Sequence, residues 1–529
     1  MGELNFADIW EQVADAFPEA QAQVHGDKRL TWAELDRRAD GVAQALVDLG
    51  VERQDKVAQY LYNVPEYLES VYGAVKASLV PVNTNYRYTD DELGYLWDNA
   101  DAVAVVFQGS FTETIERVRP RVPRVRLWLW VDDGTGPCPE WAEPYEGAAT
   151  SGAGRVRPSW GRSGDDLYML YTGGTTGMPK GVMWPMGDLI RAFAQNTGGP
   201  DAQWQMPAAP GPVAMPACPL MHGTGAFVAF IAFNLAGSVV TLTKRSFDTE
   251  ELLDAVQREK VNMIAIVGDS FAKPILRTLD ANEGRWDLSS LFMVISSGVM
   301  WSEETKQGLL RHHPAMLLQD AFSSSEALGM GTSTSTGTGV SHTAKFALGE
   351  NTRVITEDGR PIEPGSGEVG LLAVKGLVPA GYYKDSEKSA RTFRVIDGER
   401  YSVPGDYATI EADGTLKVMG RGSVCINTGG EKVFPEEVEE VVKRHDAVRD
   451  AAVVGVPDEK WGEAITAVVV PEVGADVSAA ELIKHVRANL AAYKAPKHVV
   501  VVDSLGRSPA GKLDYPGLRE KAVAEVGRG

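Results

Sequence analysis

The chain has 529 residues, of which 44% are hydrophobic and 23% charged, so it is a globular protein too long for one compact core. Its formal net charge of −20 argues against a nucleic-acid partner and against an anionic membrane surface. Because the chain has three cysteines, it can form at most one disulfide. The cysteines are far apart in the sequence, and no Cys/His cluster has the spacing of a zinc site. The N-terminus lacks a basic and then apolar leader, so we expect a cytoplasmic protein without a transmembrane segment.

Helices and strands alternate along the first 300 residues. A capping box at Thr31 and Glu34 predicts a helix over 30–50, and a second helix follows Asn63 and ends near Lys76. Short apolar runs predict strands at 79–83, 103–107, 127–131, 167–171, 261–267 and 291–295. This alternation is typical of an α/β protein with parallel sheets.

One long apolar run and three loops interrupt this pattern. The run 226–242 contains Asn234 and Gly237, which favours a buried helix followed by a strand over a membrane span. Gly, Pro, Ser and acidic residues predict an exposed connection at 134–164. Proline-rich 198–219 is expected to be a mobile loop, and Gly/Thr/Ser-rich 331–340 another loop.

The clearest domain boundary lies near residue 421. We therefore expect one domain over 1–421 and a smaller α+β domain over 422–529, a normal domain size. Asp413-Gly414 predicts a hairpin turn just before the boundary. Beyond it, the pattern predicts helices at 435–444, 479–490 and the C-terminus, and strands at 451–456, 464–470 and 499–502.

A Gly/Thr-rich loop that ends in a lysine is the strongest chemical signal: Tyr171-Thr-Gly-Gly-Thr-Thr-Gly-Met-Pro-Lys180-Gly181. Its glycines let backbone N–H groups surround an anion, while the threonine hydroxyls and Lys180 add further donors. The ligand that this combination favours is a polyphosphate. A flexible linker is the alternative, but the apolar run 167–171 predicts a buried strand that leads into the loop.

Five further motifs follow this loop in order: Ser323-Ser-Ser-Glu326, Pro404-Gly-Asp406, Gly420-Arg421, Gly429-Gly-Glu-Lys-Val-Phe-Pro435 and Ser508-Pro-Ala-Gly-Lys512. Each motif alone is a weak signal of function. Because all of them occur in this order, the chain resembles the AMP-forming acyl- and aryl-CoA synthetases. These belong to the adenylate-forming superfamily, with luciferases and peptide-synthetase adenylation domains. The resemblance implies an α/β fold: a large N-terminal domain of parallel-sheet subdomains with a β-barrel-like part, and a small mobile α+β C-terminal domain.

The activity implied by this resemblance has two steps and uses ATP, Mg²⁺ and CoA. A carboxylate attacks the α-phosphorus of ATP, and the thiol of CoA then displaces AMP from the acyl-AMP. The implied catalytic residues are Lys512, Glu326 and Thr172, with Glu326 as the metal ligand. The implied nucleotide-binding residues are Thr172, Gly173, Gly174, Thr175, Thr176, Gly177, Lys180, Ser297, Gly298, Phe322, Ser325, Asp406, Arg421 and Lys512.

For three of these residues, a purely structural role without a ligand stays open. Glu326 would be favourable at a helix start, Asp406 could be a turn residue, and Lys512 a solvated surface lysine. Phe322 stands where the family usually has a tyrosine stacked on adenine, and Pro404 where it usually has threonine. A P-loop at 506–513 is a weaker alternative, because Leu513 replaces the Ser or Thr that would bind Mg²⁺.

The resemblance also implies sites for the acid and for CoA. His222, Gly298 and Val299 would border the acyl group, although His222 could also be a packed core histidine. Gly429 and Gly430 would let pantetheine pass close to the backbone. The hinge falls at Ser423, where Asp or Lys is usual, and rotation about it would exchange Lys512 for the pantetheine tunnel.

A finer resemblance bears on the identity of the acid. Gly181-Val-Met-Trp184 and Arg507-Ser-Pro-Ala-Gly-Lys512 resemble the bacterial steroid side-chain CoA ligases, so we expect a steroid side-chain acid, with a fatty acid as the close alternative. Transfer to a carrier protein, a non-catalytic nucleotide-binding protein and a luciferase-like oxygenase are the rival functions. The oligomeric state is open between a monomer and a homodimer.

Overall fold

The computed structural model describes residues 4–172, 178–199, 201–299, 301–428, 431–458, 461–508 and 511–527. Within these ranges the α-helices are α1 (Phe6–Ala16), α2 (Trp32–Asp48), α3 (Pro65–Lys76), α4 (Asp90–Asn99), α5 (Thr112–Val118), α6 (Tyr145–Thr150), α7 (Met186–Gly198), α8 (Gly223–Asn234), α9 (Thr249–Glu259), α10 (Asp269–Ala281), α11 (Glu303–His312), α12 (Ser386–Thr392), α13 (Pro435–Lys443), α14 (Ala479–Asn489) and α15 (Tyr515–Val526). None of these helices has both the length and the apolar character needed to cross a bilayer.

The largest sheet begins with a parallel part. Its strands, in spatial order after the antiparallel edge strand β2 (Lys28–Thr31), are β1 (Gln21–His25), β11 (Ser238–Thr241), β10 (Val213–Pro216), β12 (Met263–Ile266), β13 (Met293–Ser297) and β14 (Leu317–Ser324). The expected parallel arrangement is therefore confirmed. Because the strands run the same way, the carboxyl ends of β12, β13 and β14 meet at one edge, where α/β proteins bind ligands.

Antiparallel strands continue the same sheet. They are β15 (Ala327–Ser335), β16 (Lys345–Leu348), β23 (Leu416–Arg421), β22 (Asp406–Ile410), β18 (Gly370–Lys375), β21 (Glu399–Ser402) and β20 (Phe393–Ile396), with β17 (Thr352–Ile355) beside β18. In the described residues these strands do not close on one another. The barrel-like part expected from the resemblance is thus an open antiparallel extension.

The second sheet carries the Gly/Thr-rich loop. Its spatial order is β19 (Gly381–Tyr382), β9 (Lys180–Pro185), β8 (Leu167–Thr172), β4 (Val80–Asn83), β3 (Lys56–Tyr60), β5 (Ala102–Gln108), β6 (Leu127–Val131) and β7 (Glu143–Pro144). Strands β4 and β8 are parallel neighbours, whereas β8 and β9 form an antiparallel hairpin around the loop. Strand β19 is supplied by a segment about 200 residues later in the chain.

The third sheet belongs to the C-terminal part of the chain. It consists of β25 (Glu431–Val433), β24 (Ile426–Thr428), β27 (Gly462–Pro471) and β26 (Val448–Asp458), with β28 (His498–Val501) parallel to β27. Helices α13 and α14 cover an apolar core of valine, alanine and leucine residues on one face, and α15 packs on a second cluster that includes Ala452 and Leu505. The predicted helices and strands of this region are confirmed.

Local sequence signals explain several element boundaries. Thr31 accepts a hydrogen bond from the Glu34 amide while the Glu34 carboxylate accepts one from the Thr31 amide, which completes the expected capping box of α2. The apolar run 226–242 forms α8 and then β11, as expected. Helix α8 is buried on almost every side, so its apolar surface faces the core and not a membrane.

The core of the N-terminal part lies between the helices and the first two sheets. Helix α1 contributes Trp10, whose indole donates a 2.9 Å hydrogen bond to Asn234 at the end of α8. Strand β1 pairs in parallel with β11, with Val24 beside Val240. The first residues of the chain are therefore built into the same layer as residues more than 200 positions later.

A buried ion network ties three helices together beneath this core. Lys76, whose side chain is fully buried, places its ammonium 3.0 Å from Glu11, 2.7 Å from Asp36 and 2.9 Å from Asp40. Arg162 adds a second cation at 2.9 Å from Glu11. Because every buried charge has an opposite partner, the network satisfies groups that would otherwise be costly to bury.

Three loop predictions are wrong in part. The expected exposed connection 134–164 contains α6 and buries Tyr145 and Val156. The segment 198–219 contains the sheet strand β10, and 331–340 contains the end of β15. In each case pairing with distant strands or packing against the core overrides a composition that is typical of loops.

Candidate active site

The β8–β9 hairpin holds both ends of the Gly/Thr-rich loop. Thr172 and Lys180 are paired across the two strands, so they face each other where the loop leaves the sheet. Residues 173–177, which include the predicted Gly173, Gly174, Thr175, Thr176 and Gly177, lie outside the described residues. Lys180 forms an ion pair with Asp385, and this hydrogen bond lowers the pKa of the Asp385 carboxyl.

The Ser323–Glu326 motif spans the carboxyl end of β14 and the turn between β14 and β15. Phe322 packs on Phe346 with ring centroids 5.4 Å apart, and the Ser323 hydroxyl accepts a 3.2 Å hydrogen bond from the Gly329 amide. The Ser325 carbonyl accepts a 2.8 Å hydrogen bond from the Trp184 indole on β9. The motif is thus fixed between the first and second sheets.

Glu326 is a buried carboxylate at the start of β15, with 9% of its surface exposed. Its Oε1 atom accepts a 2.8 Å hydrogen bond from the Tyr382 hydroxyl. It precedes a strand, and not a helix as the purely structural interpretation assumed. No cluster of three or more His, Cys, Asp or Glu side chains suited to a metal occurs in the described ranges, so a cation here would need ligands from a substrate or water.

The carboxyl end of β13 supplies Ser297, Gly298 and Val299. Gly298 has a φ of +91°, and among the described residues a β-carbon there would meet only Val267, at 3.9 Å. The described part of the chain therefore leaves room beside this backbone, which lets a ligand approach the main chain closely. Met300, the next residue, lies outside the described residues.

The Pro404–Asp406 motif lies on the antiparallel extension. Gly405, with a φ of +97°, makes the turn that leads into β22, and Asp406 is buried with 5% of its surface exposed. Asp406 and Arg421 are paired across β22 and β23, so the backbone brings these two predicted nucleotide ligands together. The Arg421 side chain is outside the described atoms.

Lys512 lies in a turn that contacts the N-terminal part of the chain. The backbone of the neighbouring Gly511 approaches Ser270 on α10 and Val299, so that a β-carbon on the glycine would lie 2.7 Å from the Ser270 hydroxyl and 3.4 Å from the Val299 side chain. Arg507 supports the turn by donating a 2.8 Å hydrogen bond to the Gly511 carbonyl while its guanidinium binds Asp450. The structure thus places the predicted catalytic lysine at the edge where β12, β13 and β14 end.

His222 lies immediately before α8 and faces the same region. Burial, with a further contribution from the positive charge of Lys512, lowers the pKa of His222 to about 3. The side chain keeps a little exposed surface, but its buried Nε2 atom has no hydrogen-bond partner among the described residues. At this pKa the imidazole is neutral at pH 7.

The structure describes the predicted hinge and CoA-binding residues only in part. Gly429 and Gly430 lie outside the described residues, and so does the side chain of Ser423. The backbone of 422–424 forms a single turn of 3₁₀-helix between β23 and β24. The third sheet begins directly after this turn.

Sequence reasoning missed several side chains that contact the predicted site. Tyr382 and Asp385 touch Glu326 and Lys180, and Arg507 fixes the turn of Lys512. A local signal existed for Asp385, because an aspartate before Ser-Glu-Lys is typical of a helix N-cap. No local signal connects either residue to a partner 56 or 205 positions away.

Comparisons with known proteins identify the family to which the chain belongs. The profile of the AMP-binding enzyme family matches residues 10–383, and that of the AMP-binding enzyme C-terminal domain matches residues 437–512. In the solved structures, ATP-bound MatB from Rhodopseudomonas palustris has a TM-score of 0.81 and 27% identity, with 98% of this chain and 99% of that chain covered.

Two curated relatives extend along almost the whole chain. The medium/long-chain-fatty-acid–CoA/3-oxocholest-4-en-26-oate–CoA ligase of Mycolicibacterium smegmatis is 41% identical, with 97% of this chain and 95% of the relative covered. The 3-oxocholest-4-en-26-oate–CoA ligase of Rhodococcus rhodochrous is 40% identical, with the same shares covered. The chain therefore belongs to the AMP-binding enzyme family and, within it, to the AMP-forming acyl-CoA synthetases.

Proposed function

We propose that this synthetase activates a hydrophobic carboxylic acid, either a steroid side-chain acid or a medium- or long-chain fatty acid, and transfers it to CoA. The observation that carries the acid class is the 40–41% identity, over 97% of the chain, to ligases named for those acids. Both relatives are CoA ligases by name, which disfavours a carrier protein as acceptor. ATP and CoA are the co-substrates of this class of enzyme.

The chemistry sets demands that the candidate site can meet. A carboxylate oxygen attacks the α-phosphorus, and the bond from that phosphorus to the pyrophosphate oxygen breaks. The sulfur of CoA then attacks the acyl carbon, and AMP leaves. The first step joins a weak anionic nucleophile to an anionic electrophile, so positioning and charge neutralisation must supply most of the rate enhancement.

The phosphate end of ATP would bind at the β8–β9 hairpin. Thr172 and Lys180 face each other at the mouth of the loop 173–177, and these residues would hold the β- and γ-phosphates. Glu326 would hold Mg²⁺, a hard cation that takes oxygen ligands and neutralises phosphate charge when bound. What supports this role is an oriented carboxylate at the carboxyl edge of the sheet, one oxygen of which is fixed by Tyr382.

The nucleoside would lie along the same edge. Phe322 would stack on adenine, with Ser297, Gly298 and Ser325 beside it. Asp406 and Arg421 would bind the ribose, which the pairing of their strands supports. Replacement of the usual tyrosine by Phe322 keeps the stacking surface and removes one hydroxyl.

The reacting groups would meet near Lys512. Its ammonium would neutralise the α-phosphate and the substrate carboxylate during the first step. His222, Gly298 and Val299 would border the acyl group, and the neutral His222 adds no charge next to an apolar substrate. The contact of the Gly511 turn with Val299 supports this assignment.

The second step would use the other side of the C-terminal domain. We infer a division at 421/422, with Ser423 as the hinge and Gly429 and Gly430 beside the pantetheine of CoA. The turn of 3₁₀-helix between β23 and β24 supports a hinge at this position. Rotation there would withdraw Lys512 after the adenylate has formed.

The test is product analysis by mass spectrometry with Mg-ATP, CoA and a panel of acids from acetate to steroid side-chain acids. We expect CoA thioesters and equal amounts of AMP with steroid or fatty acids of medium or long chain. A panel in which only short acids react would overturn the proposed acid class. Acyl-adenylate without thioester, in the presence of CoA, would overturn CoA as the acceptor.

A further inference from the structure

One short segment, residues 380–385, contacts two charged residues of the proposed Mg-ATP site: Glu326, the proposed Mg²⁺ ligand, and Lys180, a proposed phosphate ligand. Its backbone is attached to β9, because the Ala380 amide donates to the Met183 carbonyl and the Tyr383 amide donates to the Gly181 carbonyl, both at 2.8 Å. Strand β19 lies within this segment and pairs antiparallel with β9. The 380–385 segment is therefore fixed to the strand that begins with Lys180.

The first contact runs from Tyr382 to Glu326. Tyr382 is buried, with 4% of its surface exposed, and its hydroxyl donates the 2.8 Å hydrogen bond to Oε1 of Glu326. Its ring is flanked by Phe393 at 5.6 Å and by the Lys388 ammonium at 4.7 Å. The packed ring cannot swing freely, so the hydroxyl sets the orientation of the carboxylate.

The second contact runs from Asp385 to Lys180. One carboxylate oxygen of Asp385 caps helix α12 by accepting a 3.0 Å hydrogen bond from the Lys388 amide. The other oxygen forms the ion pair with the Lys180 ammonium. Because the cap fixes the Asp385 carboxylate, this carboxylate holds the ammonium of the flexible Lys180 side chain at one place. The ammonium has two further N–H donors that can bind a ligand.

We propose that Tyr382 and Asp385 are positioning residues for adenylation: from one segment they set the Glu326 carboxylate and the Lys180 ammonium before Mg-ATP binds. This inference rests on the proposed function of the site. Residues that orient ligands in this way typically change metal affinity or activity 10–100-fold when substituted. Neither residue contacts the reacting atoms in this scheme.

The chain offers a conservative substitution and a matched control for each contact. Tyr382→Phe removes only the hydroxyl, and the control Tyr383→Phe removes a neighbouring hydroxyl that donates to Asp101 at 2.8 Å. Asp385→Asn keeps a residue that can cap α12 but removes the charge that holds Lys180. Its control is Asp248→Asn, since Asp248 caps α9 and pairs with Lys244 away from the site.

The measurement is acid-dependent ATP–pyrophosphate exchange, with KM for ATP, kcat and the Mg²⁺ concentration for half-maximal rate determined for each folded variant. We expect Tyr382→Phe to raise the Mg²⁺ requirement about tenfold and Asp385→Asn to lower kcat/KM for ATP about tenfold. Both controls should match the wild type. A merely structural role would lower the melting temperature of the variants without changing the Mg²⁺ requirement or the KM for ATP.

The proposal requires both effects. Values for Asp385→Asn equal to those of Asp248→Asn overturn it, even if Tyr382→Phe does not yield folded protein. Values for folded Tyr382→Phe equal to those of Tyr383→Phe overturn it as well. If the wild type itself shows no exchange with any acid, the proposed function fails, which is distinguishable from failure of this inference alone.

Discussion

Gly511 and Ser270 lie so close together that a β-carbon on the glycine would come within 2.7 Å of the serine Oγ. Gly511 also has a φ of +69°, which residues with a β-carbon adopt at a cost of about 1 kcal/mol. The turn that carries Lys512 is therefore seated on the N-terminal part of the chain by direct backbone approach. This contact belongs to the arrangement that we propose for the first half-reaction.

Gly511→Ala should impair the two half-reactions unequally. We expect adenylate formation to slow about tenfold through the added strain and the contact with Ser270, since each 1.4 kcal/mol is a factor of ten. Thioester formation from supplied acyl-AMP should change little, because the proposed rotation withdraws Lys512 in that step. Rapid-quench measurement of each half-reaction tests this expectation, and equal losses in both would contradict it.

The control for this variant is Gly474→Ala. Gly474 has a similar φ of +80°, but a β-carbon there would meet none of the residues that the structure describes within 4 Å. The substitution therefore introduces the same backbone strain into the C-terminal part without touching the contact with Ser270. Both half-reactions should stay at the wild-type rate.

Lys512→Ala should slow adenylate formation by a factor on the order of 10²–10³, because it removes a positive charge where charge must be neutralised. The readout is acid-dependent ATP–pyrophosphate exchange. Lys521→Ala removes an exposed lysine from α15 and serves as the matched control. A loss of less than threefold in the Lys512 variant would exclude the proposed role.

His222 should make the folded protein less stable in acid. Its pKa is about 3 in the folded state, below the ordinary value of 6.5, so between these values the unfolded chain binds a proton that the folded chain does not. Stability from this group is complete above pH 6.5 and is lost as the pH falls towards 3. At pH 5 the loss should be about 1–2 kcal/mol.

Urea unfolding of the wild type and of His222→Asn at pH 7 and pH 5 isolates this contribution. The wild type should lose more stability between the two pH values than the variant does, by about the 1–2 kcal/mol given above. His342→Asn removes an exposed histidine and is the matched control. Identical pH dependence in the wild type and in His222→Asn would show that His222 is not buried as a neutral group.

Lys76→Met should destabilise the fold by about 3–5 kcal/mol, because it leaves Glu11, Asp36 and Asp40 without their shared buried cation. The free energy of unfolding in urea is the quantity to measure. Lys375→Met, which breaks a partly exposed pair with Glu399, should change stability by less than about 0.5 kcal/mol. A similar loss of unfolding free energy in the two variants would show that the burial of Lys76 does not make its removal more costly.

Elements with a strong local signal could be predicted from the sequence. The capping box at Thr31 and the period-3.6 pattern behind it are sufficient to define α2, and short apolar runs predict the long strands of the third sheet. Strand β10 could not be predicted, because its four residues become a strand only through pairing with β11 and β12. Composition suggested a loop there, and tertiary pairing determined the outcome.

In the candidate site, too, some residues could be predicted from the sequence and others depend on tertiary contacts. Motif residues such as Phe322, Gly298 and Asp406 could be named in advance, because their spacing resembles that of a known family. The supporting partners of Glu326 and Lys180 could not be named, since Tyr382 and Asp385 reach these two residues only after β19 has paired with β9. Contacts of this kind depend on the folded backbone, and the local sequence contains no record of them.

The pairing of β1 with β11, together with the hydrogen bond from Trp10 to Asn234, has a consequence for biosynthesis. The ribosome makes residues 21–25 more than 200 positions before their strand partner, and at 5–20 residues per second this interval is on the order of ten seconds or more. Throughout that time the apolar face of α1 has no completed binding surface. Strand β1 can pair early with its neighbour β2, but its other edge must remain without β11 on the nascent chain, where chaperones can bind it, until residue 241 has left the exit tunnel.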